Sequence, residues 1–149
     1  MIVEEAAWRA AEPKAAALTR AAARAALKHE CAPRGASLAI LLTGDAQLQA
    51  LNGRFRARPA PTNVLSFPSA GAGPGELGDI ALAFGVCARE AAEQGKSLAA
   101  HLQHLTTHGV LHLMGYDHQT DAEAEAMESR ERAILEALGV GDPYAAREG

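Results

Sequence analysis

"SLAAHLQHLTTHGVLHLMGYDH" runs from Ser97 to His118. Ser97 has the hydroxyl of a helix N-cap, and apolar residues follow it at helical spacing. The pattern predicts a helix to about Met114, where Gly115 ends it by taking the left-handed conformation that other residues resist. Leu98, Leu102 and Leu105 form an apolar stripe on this helix, and Gly109 falls within the stripe. Glycine in a helix costs about 1 kcal/mol relative to alanine. A local reason for it is therefore expected: another backbone, that of a sheet strand, packs close at Gly109.

The flanking sequence supplies candidates for that sheet. "SLAILLT", Ser37 to Thr43, is an apolar run of strand length. "TNVLSF", Thr62 to Phe67, reads as a strand stopped by Pro68, and "LGDIALAF" as another. "MIVEEAAW" can start as a strand. Pro13 suits the first turn of an alanine-rich helix that reaches about Lys28 and is broken by "CAPRGA". Asp45 suits the N-cap of a short helix with Gly53 near its end, and "GVCAREAAEQG" reads as a helix ended by Gly95. Thr120 and Glu123 form a capping box. It opens an amphipathic helix with Met127, Ile134, Leu135 and Leu138 on its apolar side, closed by Gly139. The expected fold class is α+β, a small mixed sheet of about four strands packed with about five or six helices.

At 149 residues the chain fits one domain, 1–149, and needs no staples to bury a core. Aromatics are only 4% of residues, so alanine and leucine must fill much of that core. No apolar run approaches a membrane span. The N-terminus lacks the basic region of a secretory signal. Cys31 and Cys87 are far apart and outside any C-x-x-C; both read as small buried hydrophobes in a reduced cytoplasmic protein. The net charge of −4 argues against a general nucleic-acid coat protein. It leaves room for a local basic cleft. Ala46 to Gly75 holds no acidic residue and carries Arg54, Arg56 and Arg58, while acids concentrate from Asp117 to Glu136.

His108 and His112 are four apart, so they point the same way, about 40° apart around the helix axis. Two imidazoles so placed can share one metal ion. Gly115 lets the chain reverse, and three more residues bring His118 back over the same face. Three neutral nitrogens with no fourth protein ligand leave a position open for water, as in catalytic zinc sites. The spacing is that of the metzincin proteases, H-E-x-x-H-x-x-G-x-x-H, except that Gly109 stands where their catalytic glutamate does. Asp117 and Asp79 are candidates to hold the second nitrogens of the rings; an ordinary turn role is the alternative for Asp117. His101 and His104, two turns and one turn before His108, read as partly exposed helix residues.

"HGVLHLMGYDH" resembles the signature of the YbeY family, bacterial endoribonucleases of rRNA maturation. "LNGRFRARPAPTNVLSFP", Leu51 to Pro68, is similar to the family's second block, and "LGDIAL", "EQGKSLAAH" and "LGVGDPY" match in order. Together they cover most of Asp45 to Tyr144. The resemblance implies a zinc-dependent, single-strand-specific endoribonuclease with one zinc ion per chain. It would act in small-subunit (16S) rRNA 3′-end maturation and ribosome quality control, with the small ribosomal subunit and its assembly factors as partners. It further implies His108, His112 and His118 as zinc ligands and Arg56, after Phe55, as the functional arginine.

Gly109 cannot act as a base, but zinc itself can acidify a water. A phosphodiester reaction also needs positive charge at the developing pentacovalent phosphorus. Arginine's fork matches two phosphate oxygens. Arg56 is therefore expected to clamp the scissile phosphate, with Arg54 and Arg58 tracking the RNA backbone. The rival readings are a metzincin-like metalloprotease and a non-catalytic ribosome-assembly factor with structural zinc.

Overall fold

In the computed structural model, residues 2–3, 6–32, 36–46, 48, 50, 64–68, 76–116 and 120–141 are described. Four strands are found among them: β1 (Ile2–Val3), β2 (Ser37–Thr43), β3 (Val64–Pro68) and β4 (Glu76–Ala83). They form one mixed sheet in the order β1-β2-β4-β3. β1 and β4 run parallel to β2, and β3 is antiparallel to β4. The helices are α1 (Ala6–Ala11), α2 (Ala15–His29), α3 (Phe84–Glu93), α4 (Leu98–Leu113) and α5 (Asp121–Ala137). Asp45 and Ala46 add a further helical turn after β2. The class is α+β, as expected.

Strand periodicity divides the core. Ile40 and Leu42 of β2 stand beside Ile80 and Leu82 of β4 in register, and all four are buried in the main cluster beneath the helices. The alternate residues Leu41, Ala81 and Ala83 face the other way and pack with Leu48 and Val86. Alanine is abundant in the core, as the scarcity of aromatics requires: Ala15, Ala22, Ala23 and Ala26 bury one side of α2. Trp8 is the exception. It is fully buried, donates from Nε1 to the Thr43 carbonyl at 2.9 Å and meets Phe84 edge-on at 5.3 Å. The indole thus satisfies its one polar group while seating α1 against the end of β2.

α4 is the central helix. It packs on α2, α3, α5, β3 and β4, and residues 101–107 and 109–111 are buried. Ser97 caps it by accepting from the Ala100 amide at 3.0 Å. Thr106 and Thr107 donate to the carbonyls of Leu102 and Gln103, so their hydroxyls are satisfied within the helix. Gly109 lies against β4, but a side chain and not the expected strand backbone stands opposite it: a Cβ there would meet Ile80 Cδ1 and Cγ2 at 3.1 Å. Ser66 of β3 donates to the Gly109 carbonyl at 3.3 Å.

Several expectations need correction. "MIVEEAAW" does start as a strand, β1, but that strand is Ile2–Val3 alone; α1 begins at Ala6, and Trp8 lies on it. Asp45 is already helical; its Oδ1 accepts from the Val86 amide at 3.0 Å, capping α3 from a distant segment. Cys87 is buried, but Cys31 is exposed, at a positive φ of 54° just past α2. Gly53 and Thr62 lie outside the described residues. No helix among those residues is long and apolar enough to cross a membrane.

Candidate metal centre

His108 and His112 lie one turn apart near the end of α4, both partly buried. Their ring centroids are 4.6 Å apart and the planes stand at 80°. The helix therefore brings both imidazoles together on one face, as the four-residue spacing dictates. His118, Arg54, Arg56, Arg58 and Asp117 lie outside the described residues.

The carboxylate that reaches His108 comes from α5. Glu131 is fully buried and accepts from His108 Nδ1 at 2.9 Å through Oε2 and from His104 Nε2 at 2.7 Å through Oε1. With the carboxylate ionised, it accepts from both rings, and each facing ring nitrogen carries the proton. That leaves Nε2 as the lone-pair nitrogen of His108, the arrangement found where a histidine both binds a metal and donates to a carboxylate. Burying a charge costs several kcal/mol, and two short hydrogen bonds offset it here. Two histidines on one face, one of them oriented by a carboxylate, are a donor set suited to zinc.

Asp79, expected in this supporting role, is instead exposed on β4. His101 and His104 are buried, contrary to their reading as partly exposed. His101 Nε2 pairs with Glu90 Oε1 at 2.9 Å. Burial pushes its pKa below the ordinary histidine value, and the Glu90 hydrogen bond only partly opposes this. Glu131 was missed among many acids, yet a signal existed. It falls four residues after Met127 and three before Ile134, in the middle of an apolar stripe. A charge at such a position must have a buried partner.

The chain leaving α4 is fixed from two sides. Gly115 turns it at φ +102°, and Tyr116 then donates to Glu30 at 2.6 Å. Arg130 of α5 donates to the same carboxylate at 3.0 Å, and its guanidinium lies 5.0 Å from the Tyr116 ring centroid. His29 Nδ1 is 2.8 Å from Glu30 Oε2. Burial alone would raise the Glu30 pKa, but the hydrogen bonds from Tyr116, His29 and Arg130 outweigh it, and the net shift is downward. The segment entering His118 thus starts from a point tied to both α2 and α5.

Known proteins resemble this chain over nearly its whole length. The sequence profile of the family described as "Endoribonuclease YbeY" matches residues 3–139. A protein of that name from Chelativorans sp. (strain BNC1) is 48% identical over 143 residues, covering 93% of this chain and 87% of the relative. Another, from Rhodopseudomonas palustris (strain ATCC BAA-98 / CGA009), is 46% identical, with coverage of 99% and 81%. The solution structure of a Thermotoga maritima protein superposes with a TM-score of 0.58 at 21% identity, covering 97% of this chain and 98% of that one, which supports the fold. The family's name describes hydrolases that cut RNA internally at phosphodiester bonds. With a profile match from residue 3 to residue 139 and relatives of that name 46–48% identical over most of its length, this chain belongs to the endoribonuclease YbeY family.

Proposed function

We propose that the chain is a zinc-dependent, single-strand-specific endoribonuclease, one catalytic domain acting in the cytoplasm on the 3′ end of small-subunit rRNA and in ribosome quality control. The small ribosomal subunit and its assembly factors are its partners in this reading. The observation that carries it is the facing pair His108 and His112, the first of them held by buried Glu131, in a chain of this family. His108, His112 and His118 would hold one zinc ion per chain. When bound, the metal supplies Lewis acidity to water and to a phosphoryl oxygen.

The protein's own residues do the rest. Arg56 clamps the scissile phosphate and meets the charge that develops on its oxygens, while Arg54 and Arg58 track the backbone of the strand. Position 109 supplies no base, and the Ile80 side chain comes within 3.1 Å of where its Cβ would be.

Metal analysis and cleavage of a defined single-stranded RNA test the proposal. Arg56→Ala is expected to fold and bind zinc like wild type and to lose RNA cleavage by about 100-fold or more, the scale of losing one transition-state charge partner. His112→Ala is expected to lose zinc while circular dichroism stays native. Wild-type cleavage by a zinc-loaded Arg56→Ala sinks the clamp. Unfolding of His112→Ala favours a structural metal in an assembly factor, and casein cleavage by wild type favours a protease.

A further inference from the structure

We propose that Glu131 is the positioning residue of the centre: it holds His108 with its proton on Nδ1, so that Nε2 is the nitrogen presented to the metal. The inference rests on His108 being a zinc ligand. Its geometric basis is the shared carboxylate. Oε2 lies 2.9 Å from His108 Nδ1, and Oε1 lies 2.7 Å from His104 Nε2. Because His104 occupies Oε1, the carboxylate cannot swing away from His108 without breaking a second buried bond. Glu131 is itself fully buried on the apolar side of α5, flanked by Met127, Ile134 and Leu135, so its rotamers are limited by packing. The shared carboxylate thus couples His104 to His108.

A purely structural glutamate would fill space and satisfy His104, with no requirement on the His108 tautomer. A positioning glutamate fixes that tautomer before any metal arrives. Ionic attraction adds to the effect, since a carboxylate behind the ring makes the far nitrogen a stronger ligand.

Two measurements decide. Long-range proton–nitrogen spectra of the metal-free wild type are expected to show His108 protonated on Nδ1 and His104 on Nε2. His108 found with its proton on Nε2 overturns the proposal, whether or not any variant folds. Zinc competition titrations are expected to show Glu131→Gln, checked as folded by circular dichroism, binding about 10- to 100-fold more weakly than wild type. His104→Gln keeps the carboxylate at 131 but loosens its second hold, and is expected to lose less affinity than Glu131→Gln. A folded Glu131→Gln that binds zinc like wild type overturns the proposal. Failure of the metal reading itself looks different: the wild type then takes up no zinc, whatever tautomer the metal-free protein shows.

Discussion

Gly109 shows how one missing side chain positions a helix. Its Cβ would lie 3.1 Å from two Ile80 carbons and 3.3 Å from a third. Alanine at 109 would gain about 1 kcal/mol in helix propensity, but overpacking a filled core costs about 1–3 kcal/mol. Ile80 is fully buried and has little room to give, so Gly109→Ala is expected to lose net stability. Ile80→Val removes Cδ1 and should cost about 0.5–1.5 kcal/mol alone, yet soften the effect of alanine at 109. Urea denaturation of the two single variants and the double variant checks this. Additivity within about 0.3–0.5 kcal/mol would show that the contact is not shared. The position of Gly109 was legible because a helical wheel places it among leucines. The identity of the atoms opposite it was not, because Ile80 comes from a strand 29 residues earlier.

Among the elements, helix ends were the most legible, because caps are local chemistry. Ser97, the Thr120–Glu123 box, Gly95, Gly115 and Gly139 all serve as the sequence indicates. In the box, the Glu123 amide donates to Thr120 Oγ1 at 3.1 Å and the Thr120 amide to Glu123 Oε1 at 3.2 Å. Thr120→Ala is expected to lower stability by about 1 kcal/mol in urea titrations. An unchanged midpoint would mean that α5 is held by packing alone. α1 was not legible: six residues are too short to show a period. Asp45 satisfied the local rule for an N-cap but caps a helix 41 residues away, and no local rule reaches that far. Two histidines of α4 were misread for a related reason. Polarity suggested exposure, whereas Glu90 and Glu131 on neighbouring helices make their burial tolerable.

For the whole molecule, the links that matter most join distant segments. Glu30, at the end of α2, accepts from Tyr116 and Arg130, 86 and 100 residues away. Its pKa is lowered from an ordinary 4.5. Above that value the carboxyl is ionised in folded and unfolded chains alike, and its contribution to stability is complete. As pH falls from about 4.5 through the lower folded value, the unfolded chain takes up the proton first and the contribution is lost. Wild type should therefore weaken below about pH 4.5 more steeply than Glu30→Gln, read as urea midpoints across that range. Parallel curves would remove Glu30 from the acid response. The facing of His108 and His112 could be read from the chain because one helix sets it; the support around them could not, because α5 and α2 set that.

The close seat of α4 on β4 also bears on how this scaffold can change. Glycine and glutamate codons can differ by one base, so the H-E-x-x-H of a peptidase is nominally one mutation from His108–His112. The Ile80 side chain obstructs that step, since even the first atom of a side chain at 109 meets it. A larger residue at 109 would press on a buried core side chain before any new chemistry could repay the loss. The seat of α4 on β4 thus sets a packing cost on the single change that would complete the peptidase motif.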